Sequence, residues 1–212
     1  MTHLQPSTPL SVSRAARQQR GVTLIIVLLI LVVVTILGIG GAQIALLGER
    51  STRYDRDYLI ATQSAEAALM DAEFDIRGPN TLVGNRVASF DQTNLGIFLP
   101  NCGNAGTTRG LCLPNADTVR PVWAEVDFLD ETANAPTVAY GTFTGRTFDA
   151  GTGGLQPARL PRYIIELIDD KTPGGNAAGT AVPKMYRITA IGFGPRDDIQ
   201  VVMQIAFRKE KG

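Results

Sequence analysis

From Val22 to Ile39 the chain carries only two polar side chains, Thr23 and Thr35, whose hydroxyls can bond back to helix carbonyls. At about 1.5 Å per residue this run predicts about 27 Å of apolar helix, close to the ~30 Å core of a bilayer. Val27, Ile30, Val32, Val33 and Val34 would suit a strand in water, but hydrocarbon forces backbone hydrogen bonds inside the segment and selects helix. The alternative, the core helix of a soluble protein, fits poorly with a run that is apolar on every face. Gly38, Gly40 and Gly41 then weaken the helix by about 1 kcal/mol each relative to alanine. Gly38 with Ala42, and Gly41 with Ala45, have the spacing that lets membrane helices approach closely, against a chance cluster in a single anchor as the bland alternative.

Between Glu49 and Ile76 there is neither glycine nor proline. Tyr58, Ala61, Ala65, Leu69, Ala72 and Ile76 recur at three- and four-residue steps, which predicts an amphipathic continuation of the helix. Gly78-Pro79 ends it, because glycine supplies a helix stop and proline cannot extend the ladder. Arg56 and Glu66 read as members of a solvated face.

Beyond Gly78 the pattern shortens. Gly-, Pro- and Thr-rich stretches up to Gly154 predict an irregular β-containing domain, with strands at Val122–Phe128 and Val138–Phe143. The single tryptophan, Trp123, is expected in the interior. Tyr163–Ile168, Met185–Ile191 and Ile199–Phe207 read more clearly as strands. The turn residues Gly192–Asp198 join the last two in a hairpin. An antiparallel sheet laid on the alanine-rich stripe gives an α+β architecture.

Ahead of the apolar run, residues 1–20 hold Arg14, Arg17 and Arg20, two prolines and no acidic residue, the make-up of a targeting leader. Secretory cleavage near Gly40-Gly41-Ala42 is a second reading, disfavoured because periodic sequence runs through that point. Three arginines before the span are matched by Arg50, Arg53 and Arg56 after it, so basic residues do not orient it. Twenty basic residues offset twenty acidic ones. No basic stripe or interleaved aromatic platform points to nucleic acid.

Cys102 and Cys112, the only cysteines, lie in a turn-rich segment where a disulfide would close a loop of about ten residues and contribute on the order of 2.5–3 kcal/mol. An even cysteine count beyond a membrane span favours an oxidising compartment, with two free structural thiols as the alternative. The single histidine, His3, lies in the leader, which removes histidine-based catalysis and most zinc sites from a processed chain. Asp169-Asp170 and Asp197-Asp198 lack calcium-loop spacing and read as surface turn residues. No phosphate-cradling motif is present. No cofactor, metal site or catalytic residue is expected.

Arg20-Gly21-Val22-Thr23-Leu24 followed by aliphatics resembles the type III signal of prepilins. That resemblance implies cleavage by the prepilin peptidase after Gly21 and N-methylation of Val22. Ile26 stands where most major pilins carry the glutamate that pairs with a neighbour's N-terminal amine; similar subunits of related secretion systems that lack this glutamate sit at the filament tip. Burying a charge in lipid is costly unless it is paired, so its omission suits a subunit with no neighbour above it. The Gly110-Leu111-Cys112 loop end, the Gln63–Leu69 segment and the closing MYRITAIGFG and VVMQIAFRK segments resemble the PilX-type minor pilins of type IV pili.

The resemblance implies a leader at 1–21, a long helix at 22–77 with a transmembrane first half, and a periplasmic or extracellular head at 78–212. Ile26, Gly38 and Ala42 become candidate filament or membrane packing positions. The implied role is a non-enzymatic subunit of a tip or priming complex, held in the inner membrane and later carried to the pilus tip and cell surface. Its implied partners are other minor pilins, the major pilin and a tip adhesin. A tip pseudopilin of type II secretion, and a membrane-anchored periplasmic enzyme or binding domain, stand as alternatives.

Overall fold

The computed structural model describes residues 22–80, 82–91, 94–116, 119–148, 156–170 and 183–209. They divide into two compact units, one up to Ser51 and one from Thr52. Helix α1 runs from Val22 to Arg77, and its residues up to Ser51 are all the first unit contains among the described residues. In that unit Thr35 Oγ1 donates to Leu31 O at 2.6 Å, so this hydroxyl is satisfied inside the helix.

In the second unit the remainder of α1 packs on a five-stranded mixed sheet. Strands β1 (Leu111–Cys112), β2 (Val138–Ala139), β3 (Arg162–Asp169), β4 (Lys184–Phe193) and β5 (Gln200–Phe207) follow in chain order. The order across the sheet is β1-β3-β4-β5, with β2 also on β3. The β3–β4–β5 part is antiparallel and in unbroken register. The all-antiparallel expectation needs one correction: β1 lies parallel to β3, through Leu111↔Ile165 and Cys112↔Glu166. So short a strand shows no period from which direction can be read.

The stripe on α1 is buried at Ala61, Ala65, Leu69, Ala72 and Ile76, while Tyr58 is exposed and stacks on Tyr54. Small side chains there let the helix sit close to the sheet. A Cβ on Gly192 would lie 2.8 Å from Ala65 Cα and closer still to Ala61 O and Ala65 N, so only glycine fits at this crossing. Phe90, Phe98 and Tyr186 fill the opposite end of the core with edge and stacked contacts. Gly78, at φ +73°, closes α1 by donating its N–H to Phe74 O at 2.8 Å, the left-handed stop expected of glycine.

Two other strand expectations change. Val122–Glu125 is a short helix, α2, closed by Val126 N–H donating to Val122 O at 3.0 Å. Val122 and Val126 satisfy both a two-residue and a four-residue repeat, and among the described residues no strand pairs with this segment. Trp123 is half-buried, packed at the margin of a cluster that includes Val122, Phe128 and Phe193. Past Ala139 the chain leaves the sheet at Gly141, whose φ of +79° makes a turn.

Candidate functional site

The first candidate surface is the apolar half of α1. Every Val, Leu and Ile from Val22 to Leu47 is between 46 and 72 % exposed. A face so large and apolar on a water-facing protein marks a membrane or a partner. This helix is long and apolar enough to cross a bilayer. Val22, Ile26, Gly38 and Ala42 all lie on it and are all exposed, whereas Gly21 and the leader lie outside the described residues. A Cβ on Gly38 meets nothing within 4 Å, so no side chain among the described residues fills the notch it makes.

The second candidate surface is where the head meets α1, and here the sequence reading missed the central residues. Asp71 and Asp75 stand one helical turn apart beside the alanine stripe and are fully buried. Arg86, equally buried, clasps Asp75: its Nε lies 3.0 Å from both carboxylate oxygens and its Nη2 2.6 Å from Oδ2. Its Nη1 donates to Thr107 O at 2.8 Å and Arg109 O at 2.6 Å, two carbonyls inside the cysteine loop. The guanidinium also lies 3.8 Å from the centroid of the Phe143 ring. A single cation thus joins α1, the 82–91 segment, the cysteine loop and the turn after β2.

Tyr163 on β3 donates its hydroxyl to Asp75 Oδ2 at 2.9 Å. Burial, reinforced by the Asp75 charge, holds this phenol well above its ordinary pKa of 10.0, so it remains a donor. Asp71 accepts from Gly141 N–H at 2.8 Å and from the Thr144 hydroxyl. Burial raises its pKa above 3.8 despite those two bonds. The signal for this pair was the like-charged i, i+4 spacing, which disfavours an isolated helix and therefore calls for partners.

Cys102 and Cys112 are joined by a disulfide. Asn101 and Cys102 both have positive φ, which turns the chain sharply into the loop. The remaining singled-out acids serve structure. Asp169 pairs with Lys184, Asp197 with Arg159, and Asp198 with Arg196. Asp170, expected on the surface, is buried and pairs with Arg208. Arg56 and Glu66 are exposed on α1. His3 and the Gly151–Gly154 stretch lie outside the described residues. The chemistry of the site is that of a fastening: paired charges and hydrogen bonds that lock loops to a helix.

Residues 20–69 match the family model of the PilX N-terminal domain, and residues 101–209 that of the C-terminal part of the type IV pilus assembly protein PilX. Comparisons with curated proteins and with solved structures give no match. The C-terminal match alone spans half the chain and includes Thr107, Arg109, Gly141, Thr144 and Tyr163 of the fastening, while Asp71, Asp75 and Arg86 lie between the two matches: the chain belongs to the PilX family of type IV pilus minor pilins.

Proposed function

We propose that this chain is a minor pilin of the tip or priming complex that starts type IV pilus assembly. In this reading it is made with the leader 1–21, cut after Gly21 by the prepilin peptidase and methylated on Val22. It waits in the inner membrane with its head in the periplasm. It then joins other minor pilins, the major pilin and a tip adhesin through its apolar helix, with Ile26, Gly38 and Ala42 at the packing surface.

The observation that carries the reading is the apolar half of α1, exposed on all sides and continuous in sequence with the stripe that holds the head. Such a helix serves first as a membrane anchor and then as a strut among similar helices. Ile26 supports placement at an end of the filament, because it offers no carboxylate to a neighbour's amine. The test is the N-terminal mass of the protein from native membranes, with and without Gly21→Val. A chain beginning at methylated Val22, and loss of surface pili in the variant, are the expected results. A chain beginning at Met1 or after Ala42 returns the weight to an anchored or secreted domain, and even labelling along purified filaments removes the tip placement.

A further inference from the structure

A cleft of about 750 Å³ lies beside the end of β3, with Leu113, Pro114 and Val119 on one wall and Leu167, Asp169 and Lys184 on the other. It follows from how β1 ends. Ile165 N–H donates to Gly110 O on the β1 side of β3, and Asp170 N–H donates to Pro183 O on the β4 side, each at 2.8 Å. Backbone groups alternate sides along a strand, so those of Leu167 and Asp169 point to the β1 side. To continue the parallel ladder β1 would need an N–H from residue 114, and Pro114 has none. The chain instead departs, with Leu113 N–H donating to Leu99 O at 2.9 Å. The Leu167 carbonyl and the Asp169 amide are left without a β1 partner, while β4 covers the other side of the strand through Asp169.

Among the described residues, the charges that line this edge are already matched. Glu166 holds Arg187 through contacts of 2.7 and 2.8 Å, and Asp169 holds Lys184. The rim carries apolar side chains, with Leu95 40 % and Val119 52 % exposed. Among the described residues an ionic ligand finds no uncompensated countercharge there, whereas an extended peptide finds main-chain groups to pair with and, at Leu95, Leu113, Val119 and Leu167, apolar side chains to rest its own on. We infer that the cleft takes a short, uncharged, extended segment of another pilus subunit, which adds to β3 beside Leu167–Asp169. The identity of the donor as a pilus subunit rests on the function proposed above; the chemistry of the segment does not.

The test uses the full chain in piliated cells, with a photoreactive amino acid at Val119 and, as a control, at Val83, which is 98 % exposed and remote in sequence from the cleft walls. The adduct from position 119 is expected to map by mass spectrometry to one uncharged segment of another pilus subunit. Its yield should be at least tenfold above that from position 83. Leu95→Glu, which puts a charge on the neutral rim, should lower it at least tenfold while the membrane level and the disulfide of the protein are unchanged. An adduct to residues 171–182 of the same chain, to a second copy, or to a charged segment overturns the inference, as does a yield no higher than the control. Recovery of the chain in sheared pili is measured alongside. A chain that is in the pili but gives none of the expected adducts leaves the pilus reading standing, and an uncharged segment captured from a non-pilus protein does the reverse.

Discussion

Asp75 and Arg86 have 0 % side-chain exposure, so neither charge can fall back on water if the other is removed. Leaving one buried charge alone costs about 3–5 kcal/mol, whereas exchanging both for apolar groups of similar size is close to neutral. Asp75→Ala is therefore expected to lower the melting temperature of the detergent-solubilised chain by on the order of 10 °C, at ~2–4 °C per kcal/mol for a chain of this size. The double exchange Asp75→Leu with Arg86→Met should recover most of that loss, though not the hydrogen bonds Arg86 gives to Thr107 and Arg109 or the one Asp75 accepts from Tyr163. If the double variant melts as low as the single one, the hydrogen bonds to Thr107, Arg109 and Tyr163, and not the ion pair, account for the cost. Gly192 is constrained differently, by space. Its missing Cβ makes room for the backbone of α1, so Gly192→Ala must push helix and sheet apart. A cost of about 1–3 kcal/mol, read from the same melts, is expected for such overpacking.

Helix α1 carries its own pH dependence within the head. Asp71 has a folded pKa raised by burial, so the native state binds its proton more readily than the unfolded chain does. Stability falls with rising pH wherever the native state holds more protons. The contribution of Asp71 is thus most favourable below 3.8 and is lost as pH climbs through the raised folded value. The melting temperature of wild type minus that of Asp71→Asn should decline over that interval and then level; a difference that rises with pH would reverse the assignment. The amphipathic repeat on this helix was legible because apolar spacing reports a buried face directly, and five of its six stripe positions are interior. Asp71 and Asp75 were not legible as buried, since a carboxylate on a helix ordinarily faces water. Their partners come from Arg86, Gly141, Thr144 and Tyr163, far along the chain. The β3–β4–β5 meander showed itself by three long strand-like runs, the last of them alternating, joined by turn residues at Gly192–Asp198. The two-residue strand β1 is defined only by pairing to β3 and has no pattern of its own, whereas β2 is the start of the run read as a strand from Val138, cut short by the turn at Gly141. The disulfide was legible as a possibility from the even count and the turn-rich loop. Replacing both cysteines by serine should cost on the order of 2.5–3 kcal/mol from loop entropy, measured in non-reducing against reducing melts.

For the whole molecule, the two halves of the chain can be tested separately, because they answer to different surroundings. The head buries its stripe against its own sheet, and substitutions there act through folding. The apolar half of α1 is exposed, and among the described residues nothing outside the neighbouring helix backbone lies within 4 Å of a Cβ placed on Gly38. Gly38→Leu therefore meets no obstacle among the described residues and replaces a weak helix former with a strong one, a gain of about 0.8 kcal/mol in propensity. If the protein were only anchored, the variant would behave as wild type or slightly better. If Gly38 and Ala42 form the notch through which another pilin helix approaches, an added isobutyl group holds the two backbones apart and removes the close packing that membrane helices rely on. The expected outcome is an unchanged amount of protein in the membrane, an unchanged head disulfide, and at least a tenfold drop in the amount recovered with sheared pili. Equal recovery of Gly38→Leu and wild type would leave the apolar helix as an anchor and place assembly contacts on the head.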